Sequence, residues 1–172
     1  SKMLNESFRA VKSKYSAILD YDDILFPCAY RWLIGRLTET GKAVTYGNVY
    51  LSLFSKQKMC VVKRNRSFEY GYSYYDFIRN NHSPVHSIMF DISKIDLSNV
   101  KYCDGMKYME DYYMTLQIVN ETNTDWESLR LKKYIGDYIH SIDEKHTLAI
   151  TNDKEREELS NNPEYIKCGE DS

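Results

Sequence analysis

Apolar residues recur at helical spacing at Leu4, Phe8 and Val11, and the pattern tightens at Tyr15 into a short apolar run ending at Leu19. This predicts a helix followed by a buried strand. The run stops at Asp20-Tyr21-Asp22-Asp23, after which Pro27 sits where the first turn of a new helix accepts a residue without an N–H. Trp32, Leu33, Ile34 and Leu37 give that helix a buried stripe to about Thr40, and Gly41 is placed to end it in the left-handed conformation. Val44 to Leu53 alternates loosely and is rich in β-formers, so a second strand follows.

Beyond it, Ser55 to Arg66 is basic and weakly periodic, and Glu69 to Asn80 reads as a loop leading into a short helix. A turn at Asn80-Asn81-His82-Ser83-Pro84 introduces an apolar strand over Val85 to Ile92. Glu110 to Asn120 is a helix by the spacing of Tyr113, Leu116 and Val119. Asp125 is placed as the N-cap of another containing Trp126, Leu129, Tyr134 and Ile135. From Thr151 the chain is polar and charged, which suits a peripheral helix or an unstructured end. The pattern as a whole is that of an α/β fold, with residues 1–124 as the main unit and 125–172 as a helical C-terminal extension.

Composition narrows the function classes. A chain of 172 residues at 42% hydrophobic content buries one sizeable core, and 23 lysines and arginines against 25 aspartates and glutamates give no global attraction to polyanions. Cys28, Cys60, Cys103 and Cys168 form no CxxC pair, so neither a zinc knuckle nor a redox motif is indicated. No apolar run approaches the roughly 18 residues that cross a bilayer. A cytoplasmic location is expected.

Three carboxylates, Asp20, Asp22 and Asp23, stand where a buried strand meets a helix, the edge at which open α/β sheets bind ligands. Asp20 and Asp22 share one side if the strand continues that far, and together they can hold Mg²⁺ or Mn²⁺. The competing interpretation is an acidic cap, with Asp23 bonded to the first amides of the next helix and the other two solvated.

The stretch from Tyr15 to Pro27 resembles the segment around the DxD motif of family 2 glycosyltransferases, from the hydrophobic strand to the proline that opens the next helix. Asn81-His82-Ser83-Pro84-Val85-His86-Ser87 before a strand, and Glu110-Asp111-Tyr112-Tyr113-Met114-Thr115-Leu116 opening a helix, follow in the family's order; the second is similar to its ED motif. The resemblance implies a GT-A fold, a mixed, mostly parallel sheet flanked by helices. It also implies inverting, metal-dependent transfer of a sugar from a nucleoside diphosphate sugar to a glycan or lipid-linked acceptor, as in bacterial surface polysaccharide synthesis. Asp20 and Asp22 then correspond to the metal and diphosphate ligands, with Asp23 assisting at the donor. Asp111 corresponds to the general base, Glu110 is the second catalytic candidate beside it or else orients the helix or binds an acceptor hydroxyl, and Tyr112 and His86 fall at the acceptor. The strand and loop that bind base and ribose in that family have no counterpart here, so the N-terminal nucleotide-binding half is expected to be missing. The piece is accordingly expected to be inactive alone and to self-associate through an exposed sheet edge. The absence of a QxxRW motif after Asp111 speaks against the processive synthases.

Other residues have plainer explanations. Glu110 and Asp111 complement the positive end of a helix whatever their chemistry. His82 and His86 are separated by Pro84, which disfavours a helical zinc pair. His86 is either a contact to acceptor or diphosphate or a hydrogen-bonded structural histidine, and His140 and His146 are read as surface residues. Lys56, Lys58, Lys63, Arg64 and Arg66, followed by Phe68, Tyr70 and Tyr72, have the composition of a nucleic-acid binder. Neutral overall charge decides against nucleic acid; what remains is a solvated loop or, preferred, a loop over the site where the cations meet a lipid-linked phosphate or the anionic inner face of the membrane. The alternative to an enzyme is a non-catalytic module that packs against a partner.

Overall fold

The computed structural model describes residues 6–7, 9–66, 72–80, 83–98, 100–101 and 109–141. In chain order these form β1 (Tyr15–Ala17), β2 (Ile24–Leu25), α1 (Ala29–Thr40), β3 (Val44–Tyr46), β4 (Asn48–Ser55) and β5 (Cys60–Arg66). Next come α2 (Tyr74–Arg79), β6 (Ile88–Asp91), α3 (Glu110–Leu116), β7 (Thr124–Asp125) and β8 (Tyr134–Ser141). Short 3₁₀ turns lie at Val85–Ser87, Ile92–Lys94 and Trp126–Leu131. The architecture is mixed α/β, with two four-stranded sheets ordered β1-β6-β3-β7 and β2-β8-β4-β5.

The expectation of a mostly parallel sheet is corrected. β1–β6, β3–β6, β2–β8 and β4–β5 are antiparallel, and β3–β7 and β4–β8 are parallel. Parallel neighbours need long crossovers, usually helical, whereas β4 and β5 are joined directly as a hairpin. Among the described residues the helices that would flank a parallel sheet are correspondingly few.

Helix α1 ends as its sequence predicts, with Gly41 at φ 67° and its N–H bonding Leu37 O, but it starts at Ala29 behind Cys28, so Pro27 precedes the helix and is not in its first turn. Leu33 and Leu37 are buried with Ala29 against Met89 of the first sheet and Val49 and Ile135 of the second, so this helix closes the seam between the sheets. Each fully buried leucine contributes on the order of 1.5–3 kcal/mol. A larger cluster, including Tyr46, Phe77, Phe90 and Met114, fills the other side of the first sheet.

The apolar stretch from Val44 to Leu53 is two strands in different sheets, divided at Gly47. The Gly47 N–H bonds Ser87 O at 2.8 Å beside β6, and the next N–H, of Asn48, bonds Lys133 O at 2.9 Å beside β8. A Cβ at Gly47 would meet Ile135 Cδ1 at 2.5 Å, so the crossing needs glycine.

Three further expectations change. The basic segment is not a loop to its end: Cys60–Arg66 is a strand, and Arg64 reaches Asp137 with bonds of 2.8 and 2.9 Å while lying over Phe26 and Tyr50. The helix assigned from Asp125 is a 3₁₀ turn followed by β8. Asp125 does not cap it, because its carboxylate accepts from Arg36 at 3.0 and 3.1 Å and from Thr45 Oγ1 at 3.2 Å. The apolar run after Pro84 begins as a 3₁₀ turn and becomes strand only at Ile88. Leu4 and Phe8 of the first helix, and the polar end from Thr151, lie outside the described residues. No helix among the described residues is long and apolar enough to cross a membrane.

Candidate active site

β1 ends at Ala17, short of the acidic residues, and the Asp23 N–H bonds Asp20 O at 3.2 Å to close a turn. Strand alternation therefore does not orient Asp20 and Asp22. The turn itself leaves both residues exposed and sends Asp23 inward. Asp23 is no helix cap either. Its Oδ1 accepts from the Ile139 N–H of β8 at 2.9 Å, and its Oδ2 lies 2.8 Å from His86 Nδ1. These two side chains are 2% and 0% exposed, so the contact is fully desolvated. It is an ion-pair distance without an aligned N–H···O bond. Immediately after the turn, β2 is fastened to β8 by Ile24↔Asp137 and Leu25↔Gly136 pairing, and the Phe26 N–H bonds Ile135 O at 2.8 Å.

Along β8 successive side chains alternate, which puts Tyr138 and His140 on one side and Asp137 and Ile139 on the other. The Tyr138 ring stacks near His86 with centroids 6.0 Å apart, and His140 meets the edge of Tyr138 at 4.7 Å. Burial pushes the His140 imidazole toward its neutral form, opposed by the charges of Asp23 and Asp22, and its Nε2 is buried with no hydrogen-bond partner among the described residues.

Asp111 stands in the first turn of α3, just after Met109, whose φ of 61° is uncommon for a long side chain. Burial raises the Asp111 carboxyl above the usual carboxylate range; the Tyr112 N–H opposes this and the Glu110 charge adds to it. Asp20 is raised too, first by burial and then by the charges of Asp23, Asp111 and Asp22, with His86 opposing. Asp20 keeps an exposed surface, yet protein crowds its carboxyl enough for desolvation to lead. The Tyr138 hydroxyl is raised by burial and by the same four aspartates. The acidic turn and the start of α3, remote in sequence, thus share one electrostatic site.

Among the described residues no three His, Cys, Asp or Glu side chains close around a cation. Asp20 and Asp22 nevertheless suit a hard divalent ion of the kind that takes one or two carboxylates and completes its shell with phosphate oxygens and water. The uncompensated negative charge around Asp20 is what such an ion would relieve. Of the remaining candidates, Glu110 is half-buried, and Tyr112 donates its hydroxyl to Phe77 O, tying α3 to α2. His86 is enclosed, in contact with Asp23 and Tyr138.

Tyr138 and His140 belong to this site and were not singled out from the sequence for it. The available signal was the alternation of Tyr134 to Ser141, masked by the helical spacing of Trp126, Leu129 and Tyr134. A separate groove of about 420 Å³ runs along α1 between Cys28, Arg31, Trp32, Gly35, Arg36, Glu39 and Lys133; none of the acidic set lines it. Compared with known proteins, the chain matches no family model and no curated protein.

Proposed function

We propose that the protein takes part in metal-dependent, inverting transfer of a sugar from a nucleoside diphosphate sugar to a hydroxyl of a glycan or lipid-linked acceptor. The observation that carries this reading is the shared field of Asp111 with Asp20, Asp22 and Asp23. The likeness of Tyr15–Pro27 and Glu110–Leu116 to the DxD and ED blocks of family 2 glycosyltransferases supports it.

The reaction needs two kinds of carboxylate. One kind must be exposed and anionic, to hold a cation against a diphosphate, and Asp20 and Asp22 have that exposure. The divalent ion, when bound, neutralises the charge that develops on the departing diphosphate. The other kind must take a proton. As the acceptor oxygen bonds to the sugar carbon and the bond to diphosphate breaks, the hydroxyl proton passes to the Asp111 carboxylate. Burial makes Asp111 a stronger base than a solvated aspartate.

The test is release of nucleoside diphosphate from a panel of nucleotide sugars by the protein, with and without Mn²⁺. Mn²⁺-dependent release that disappears in Asp22→Asn is the expected result. Metal-independent release, or release untouched by Asp22→Asn, returns the turn to a structural role.

A further inference from the structure

We propose that His86 is a positioning residue: together with the Ile139 N–H it clamps Asp23, and the clamp holds the acidic turn so that Asp20 and Asp22 face outward as a divalent-cation pair. This rests on the metal reading above and adds to it a division of labour within the acidic turn.

Asp23 is not a freely available ligand, because its carboxylate is enclosed: one oxygen is hydrogen-bonded and the other is in close contact with an imidazole, without an aligned hydrogen bond. Oδ1 takes the backbone N–H of Ile139, and Oδ2 lies against His86 Nδ1 in a space with almost no solvent. A buried carboxylate with one partner removed is strongly destabilised, so losing the imidazole would drive Asp23 toward water. Asp20 and Asp22 would move with it, since the turn that carries all three is only four residues long and is closed by the Asp23 N–H to Asp20 O bond. The imidazole is fixed in its turn. It leaves the 3₁₀ turn Val85–Ser87, whose Ser87 N–H and Oγ both bond Pro84 O, and its ring lies beside Tyr138.

The measurement is Mn²⁺ affinity of the 172-residue chain, read from the electron paramagnetic resonance signal of free Mn²⁺. Residues that orient metal ligands typically contribute about 10–100-fold in affinity. His86→Phe, which keeps a flat ring and removes the nitrogen facing Asp23, is expected to weaken binding by about tenfold or more. His86→Asn, whose amide nitrogen can occupy the place of Nδ1, is expected to restore most of it. A general packing role predicts the opposite order, because phenylalanine fills the cavity better than asparagine. Equal affinity in His86→Phe and the unmutated chain, with Asp20→Asn abolishing binding, overturns the clamp and leaves the metal site standing. Absence of stoichiometric Mn²⁺ in the unmutated chain overturns both. If His86→Phe does not fold, the unmutated chain decides through the ring nitrogen resonances of His86. Saturation with Mg²⁺ shifts them if the clamp and the ligands move as one, and unmoved resonances overturn the proposal.

Discussion

Asp20 is held in the folded chain with its charge disfavoured, and that has a measurable sign. Its folded pKa lies above the ordinary 3.8, so its favourable contribution is complete below that value and is lost as pH rises through the raised one. At neutral pH without a divalent ion, the ionised group therefore works against folding. Asp20→Asn is expected to raise the melting temperature at pH 7 in the presence of a chelator, with the gain vanishing near pH 3. A lower melting temperature at pH 7 would contradict the electrostatic account. In the proposed transfer, Asp111 would carry the same sign into turnover, because its carboxyl is raised by burial. A base must be ionised, so turnover should fall as pH drops through a midpoint above the usual carboxylate range. Asp111→Asn should lower kcat by about 10²–10⁴-fold while leaving the donor KM nearly unchanged. A normal rate in that variant would move the role to Glu110. The letters Asp20, Asp22 and Asp111 were enough to nominate these residues. The separate function of Asp23 was not legible, because it depends on Ile139, 116 positions away, and on the enclosure of His86.

Elements were legible where local chemistry decides them and obscure where a partner does. Helix α1 follows from its apolar stripe and from Gly41. The division of β3 from β4 at Gly47 does not, since a glycine in an apolar stretch is equally compatible with one long strand. Likewise β5 reads as a basic loop until Asp137 provides a buried partner for Arg64. At β8 the governing residue is Gly136, where an added Cβ would collide with the Ile24 backbone oxygen. Overpacking of this kind costs about 1–3 kcal/mol, and it falls on the strand directly after the acidic turn. Gly136→Ala is expected to lower stability by that amount and to weaken Mn²⁺ binding as well; loss of stability with unchanged Mn²⁺ affinity would show that β2 does not set the turn. Lys132 offers a contrasting test. It ends the 3₁₀ turn before β8 at φ 50°, a conformation that strains any residue with a Cβ. Lys132→Gly should stabilise the chain by about 1 kcal/mol in chemical denaturation without altering Mn²⁺ binding.

At the scale of the whole molecule, the candidate site lies across the seam between the sheets. The acidic turn leaves β1 of the first sheet and enters β2 of the second, His86 stands just before β6 of the first, and Tyr138 and His140 belong to β8 of the second. Asp23 is the bridge, joined to Ile139 on one side and against His86 on the other. A cation held by Asp20 and Asp22 would bind the closed seam and not a parted one. By mass action it would therefore stabilise the closed form, by about 2.7 kcal/mol at a hundredfold excess over Kd. Hydrogen exchange reads this residue by residue. Saturating Mg²⁺ should raise amide protection at Ile139 in β8 and at Met89 and Phe90 in β6 together, and Asp20→Asn should remove the increase at all three. Asp23→Asn should separate them, because the bridge is weakened while Asp20 and Asp22 remain. Protection confined to the turn itself, with β6 and β8 unchanged, would mean that the sheets open independently of the ligand pair.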